Sequence, residues 1–105
     1  MKKKVINALL EMGMPADING FYYIVDAMIL LEQEEWRKCK ITALYYKIAK
    51  DNKTTASRVE RSIRHAFGLV LTKGKLDAVQ KWLTFLQPTN GNLLKTLFLR
   101  LTQEE

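Results

Sequence analysis

The sequence predicts an all-α fold, a compact bundle of about five to six helices that contains a helix-turn-helix. Apolar residues recur at helical spacing through nearly every segment, and no segment alternates as a strand would. Gly13, Pro15, Gly74, Pro88 and Gly91 fall between those segments as stops. Residues 54–66 supply the third sign, because they read as one helix with an apolar seam on one side and a basic comb on the other.

Taken in order, residues 3–12 place Val5, Ile6, Leu9, Leu10 and Met12 close to helical spacing, and Gly13 with Pro15 ends that helix. Residues 18–36 predict a second, longer helix, whose wide apolar surface (Phe21, Ile24, Val25, Met28, Ile29, Leu31) marks it as central and buried. Residues 41–50 make a third, with Leu44, Tyr45 and Ile48 on one face, and Asp51, Asn52 and Lys53 form a polar turn after it. Thr54 or Thr55 caps the fourth by accepting from a free first-turn amide, and Lys73 with Gly74 stops it. Gly68 inside that helix costs about 1 kcal/mol relative to Ala, which calls for close approach of another helix or a bend. Residues 76–86 and 92–101 complete the set as amphipathic helices around the loop at 87–91.

The 105 residues suit one domain, 1–105, and 48% hydrophobic content supplies a core. The longest apolar run, 24–31, is interrupted by Asp26 and falls short of the roughly 20 residues of a membrane span. Asn7 and Glu11 break any signal-peptide pattern, and the single Cys39 fits a reducing compartment, so a cytoplasmic protein without a membrane is expected. The net charge of +6 is concentrated: residues 37–75 carry eleven Lys and Arg against Asp51 and Glu60, a local +9. Such a segment favours polyanions. Catalysis is not expected. His65 is the only histidine, one His and one Cys cannot build a structural zinc site, and no glycine-rich phosphate loop is present, so no cofactor or metal is implied. Trp36, Trp82, Phe85, Tyr22, Tyr23 and Tyr45 are read as core or helix contacts in preference to stacking platforms for single strands.

The third and fourth helices, about 41–73, form the helix-turn-helix, with the helix 55–73 placed in a major groove. With Val59 at zero and 100° per residue, Ile63, Ala66, Phe67 and Val70 fall within about 80° of it. Arg61 lies almost opposite, flanked by Arg58 and His65 on one side and Ser57 and Arg64 on the other. A guanidinium at the centre of that face can bond bidentately to O6 and N7 of guanine, which makes Arg61 the first candidate reader. Arg58, Arg64 and His65 are candidates for bases or phosphates, and Ser57, Thr55, Lys50, Lys53 and Lys73 surround them as candidate DNA contacts. Glu60, at the edge of the seam, either accepts from a cytosine amine or pairs with Arg64 four residues on. In the turn, the place where a glycine is often found is held by Lys53.

The run Thr54-Thr55-Ala56-Ser57-Arg58-Val59-Glu60-Arg61-Ser62-Ile63-Arg64-His65-Ala66 resembles the recognition helix of the stage zero sporulation protein A family, the response regulators that start endospore formation. Residues 11–20 are similar to that family's E-I-G-x-P-A-x-I-x-G segment, and Pro88-Thr89-Asn90 to the P-T-N that opens its last helix. The resemblance implies a transcriptional regulator that reads double-stranded DNA at a TGTCGAA-like box. It implies Arg61 as a base reader, with Arg58, Arg64 and His65 on bases or phosphates around it. It also implies contact with the sigma subunit of RNA polymerase through residues 72–81, between Thr72 and Lys81, and tandem self-association on adjacent boxes. The family's phosphorylated receiver domain has no room within these residues. The competing reading keeps the fold as a protein-interaction module or competitor paralogue without specific DNA reading. A third is a nucleoid binder with a salt slope and no sequence preference.

Overall fold

The segments of helical apolar spacing fold as helices. The computed structural model describes residues 1–103, and these form α1 (Lys2–Met12), α2 (Asn19–Leu31), α3 (Glu34–Arg37), α4 (Ile41–Asp51), α5 (Ala56–Lys73), α6 (Leu76–Trp82) and α7 (Asn90–Gln103), with no strand among the described residues. The all-helical expectation holds, with one short helix more than the sequence predicts. The Cα radius of gyration of 12.5 Å matches the roughly 13 Å of a compact 100-residue chain.

α2 is the hub. It buries Phe21, Ile24, Val25, Ala27, Met28 and Leu31 and touches α1, α3, α4, α5 and α7. One core joins Leu9, Met12, Phe21, Ile24, Ile48, Ile63, Phe67, Leu94 and Leu97, all at most 2% exposed. α1 ends as predicted at Gly13, whose φ of 91° is the left-handed conformation that glycine adopts without strain. The Gly13 and Met14 amides bond back to Leu10 and Leu9, both at 3.0 Å.

Three element boundaries differ from the sequence reading, each for a physical reason. The helix expected over 18–36 stops at Leu31, Gln33 is extended, and α3 begins anew at Glu34. Carboxylates are unfavourable at a helix C-terminus and favourable in a first turn, and Glu34 and Glu35 occupy the first turn of α3. The helix expected over 76–86 ends at Trp82, and Leu83 is extended and buried. Arg100 of α7 caps it by donating to the carbonyls of Gln80, Lys81 and Leu83 at 2.7, 3.1 and 2.7 Å. The last helix starts two residues early, at Asn90, with the Thr89 hydroxyl accepting from the Asn92 amide. Gly74 does stop α5, but at φ −74°, so not by left-handed geometry. A Cβ there would meet the carbonyl oxygens of Val70 and Met12 at 2.4 and 2.7 Å. The glycine lets the end of α1 close against this corner, where the Lys75 amide donates to Met12.

Gly68 makes no close approach, since nothing lies within 4 Å of a Cβ built on it. The close approach occurs at Gly20. A Cβ there would fall 2.2 Å from the Ser62 carbonyl oxygen and 2.8 Å from Ala66 Cβ, so the missing side chain is what lets α2 lie against α5.

Candidate nucleic-acid interface

α4, the turn and α5 follow one another as a helix-turn-helix requires. Asn52 fixes the turn by donating from its amide to the Ile48 carbonyl at 2.8 Å and to Asp26 of α2 at 3.0 Å. Lys53 sits at φ +55°, the left-handed region, where the sequence pattern has a glycine in mind. Thr54 donates its amide to Ala49 at 2.9 Å, and α5 then begins with Thr55 as its cap, the hydroxyl accepting from the Arg58 amide at 3.2 Å.

The seam lies as the angular positions place it: Val59, Ile63, Ala66, Phe67 and Val70 are at most 2% exposed. Ser57, Arg58, Arg61, Arg64 and His65 are all exposed on the opposite side. Among the described residues, the side chains of Arg58, Arg61 and His65 make no hydrogen bond or ion pair. Their donors face water, ready for an external acceptor.

The two flanks of this face differ. On one flank Glu60 is partly buried and both its carboxylate oxygens accept from Arg64. Of the two roles open to Glu60 in the sequence, the pair with Arg64 is thus present in the protein without DNA. An exposed i, i+4 pair contributes about 0.3–0.5 kcal/mol, little enough for Arg64 to exchange partners. Asn90, at the start of α7, donates to the Glu60 carbonyl at 3.0 Å, and its side chain acts on the Tyr45 hydroxyl of α4. Burial pushes the Tyr45 phenol above its ordinary 10.0; the Asn90 side chain opposes this, the Glu60 charge adds to it, and Arg64 opposes it. Tyr45 and Asn90 therefore brace α5 from α4 and α7.

On the other flank lies α2. One depression is lined by Asp17, Asn19, Gly20, Arg61, Ser62 and His65, and an adjoining one by Asn19, Tyr23, Thr54, Arg58, Arg61 and Ser62. As α2 advances from Asn19 to Tyr23, its neighbours on α5 recede from His65 to Arg58, so the two helices run in opposite senses.

Lys50, in the last turn of α4, and Lys53 are exposed beside the start of α5. Lys73 is exposed too, but lies about 18 Å along the axis from Arg61 at 1.5 Å per residue, away from the arginine cluster. Thr55 is exposed, and its oxygen serves the cap. In the segment 72–81, Thr72 donates to the Gly68 carbonyl at 2.7 Å, Leu76 is 58% exposed, and Lys75, Asp77 and Lys81 surround it.

Of the aromatic residues, Tyr45 and Trp82 are buried as expected, whereas Tyr22 and Phe85 are about half exposed, against the core reading. Cys39 is exposed and donates to the Glu35 carbonyl. Sequence reasoning missed Asn19, Tyr23 and Asn90. The signals were a polar residue before Gly20 at a helix start and an Asn at the start of the last helix. Among the described residues, no helix is long and apolar enough to cross a membrane, and no three His, Cys, Asp or Glu side chains gather as metal ligands. A family model described as sporulation initiation factor Spo0A C terminal matches residues 5–101.

Proposed function

The chain belongs to the Spo0A C-terminal family of sporulation effector domains, a DNA-binding family and not an enzyme family, and from that membership we propose that it reads one DNA sequence through α5. The observation that carries this is Arg61: exposed, without a partner among the described residues, and centred on a face whose opposite side is sealed into the core. In a major groove it donates to O6 and N7 of a guanine in a TGTCGAA-like box. Arg58, His65 and Ser57 contact bases or phosphates around it, and Arg64 joins them when Glu60 releases it or turns to a cytosine amine. Lys50 and Lys53 bind phosphates at the start of the helix, with Thr55 beside them, and Lys73 binds further along the duplex.

Two partner proposals follow from the same membership. The segment 72–81 contacts the sigma subunit of RNA polymerase, supported by the exposed Leu76 between Lys75 and Lys81. Two copies bind adjacent boxes in tandem.

The test pairs Arg61→Ala with single-base substitutions at the guanines of the box. Arg61→Ala should lose about 1–3 kcal/mol of discrimination at one guanine, and the loss should not add to that of replacing the guanine itself. Full additivity at every guanine would remove Arg61 as the reader.

A further inference from the structure

We infer that Asn19 and Tyr23 of α2 form a second DNA-contact element, which holds a backbone phosphate beside the reading helix. This rests on the DNA-binding reading of α5 and extends it to a helix outside the helix-turn-helix. Three observations converge. First, Gly20 brings α2 within backbone contact of α5 at Ser62, so groups on the first two turns of α2 stand level with the reading face. Second, Asn19 and Tyr23 are four residues apart on a helix, which places them on one side, and together they wall the depression whose opposite wall is Arg58 and Arg61. Third, the donors are unused. Among the described residues neither the Asn19 amide nor the Tyr23 hydroxyl has a hydrogen-bond partner, although Tyr23 is partly buried.

The charge distribution selects an anion and its place. The depression at Tyr23 is lined by two guanidiniums and by neutral polar groups, with Thr54 completing it and no carboxylate. Its neighbour toward His65 includes Asp17, which repels a phosphate. A phosphodiester at the Tyr23 end therefore meets Arg58 and two neutral donors within the field of Arg61, whose own hydrogen bonds go to the guanine; this is the mixture of partners that DNA backbone oxygens take. A base edge fits less well, because the groove is beside α5 and not under its exposed centre.

Neutral donors leave a signature that lysines do not. Asn19→Ala and Tyr23→Phe should each weaken binding about threefold to tenfold, equally for a TGTCGAA duplex and a scrambled one. The dependence of log K on log salt should stay that of wild type, because a neutral donor releases no counterion. Anisotropy titrations at several salt concentrations measure both, and circular dichroism and melting curves verify that the variants are folded; Tyr23→Phe removes only a hydroxyl. Unchanged affinity in the folded double variant would overturn the proposal. So would a loss confined to the boxed duplex, which would make these base contacts. Wild type that binds neither duplex would fell the DNA-binding reading itself, and this proposal with it.

Discussion

Replacing Gly20 by Ala should damage both the fold and the interface, and the size of the effect follows from the contact. A Cβ at Gly20 lies 2.2 Å from the Ser62 carbonyl oxygen, 2.9 Å from its carbonyl carbon and 2.8 Å from Ala66 Cβ, where ordinary contact begins at 3.4 Å. Two of those three atoms are backbone, so no rotamer change relieves them, and α2 and α5 must separate by about 1 Å. Overpacking of this kind costs about 1–3 kcal/mol, more where backbone must move, while the helix preference of Ala returns at most about 1 kcal/mol. A net loss of about 2 kcal/mol lowers the melting temperature by about 10 °C in a domain of this size. Gly68→Ala is the matched control, since its Cβ meets nothing within 4 Å. It should gain up to about 1 kcal/mol from propensity alone. Urea and thermal unfolding followed by circular dichroism measure both. Gly20→Ala as stable as wild type, or a loss in Gly68→Ala of the same size, would refute the assignment of the close approach to Gly20.

Lys53→Gly relieves a left-handed lysine and should stabilise by about 0.5–1 kcal/mol in urea unfolding, while lowering the salt slope of DNA binding by about one; a destabilised variant would contradict the strain. Thr55→Ala removes the oxygen that accepts the Arg58 amide and should cost about 1 kcal/mol of stability, read from the same unfolding curves. Tyr45 resists ionisation in the folded state because it is buried, so its contribution is complete below pH 10 and is lost as pH rises from there through the raised folded value. Tyr45→Phe should flatten the fall in melting temperature above pH 10; an unaltered alkaline slope would contradict this origin.

α5 was the most legible part of the chain. An 18-residue amphipathic helix repeats its pattern often enough to set the orientation of each side chain, and Thr55 is a residue type that caps. Residue periodicity therefore placed Val59 and Ile63 inside and Arg61 outside. The break between α2 and α3 was hidden, because apolar spacing gives no information once the acidic run 32–35 begins, and only the charge preference of helix ends separates the two. α6 was overextended for another reason: its end is set by Arg100, which is 17 residues from Leu83 in sequence. The glycines show the limit most plainly. Gly20 and Gly68 look alike in the chain, and which one admits a neighbouring backbone depends on how α2 crosses α5. The same crossing brings Asn19 and Tyr23 to the candidate interface, which the chain marks only by a polar residue before Gly20 at a helix start.

The most direct test of sequence reading is fluorescence anisotropy of a labelled TGTCGAA duplex against a scrambled duplex of equal length, titrated with wild type at two salt concentrations. A preference of at least about tenfold for the box, close to 1.4 kcal/mol and retained at both salts, is the predicted result. Equal affinity for the two duplexes, falling alike with salt, would contradict it and leave only a general attraction for phosphate.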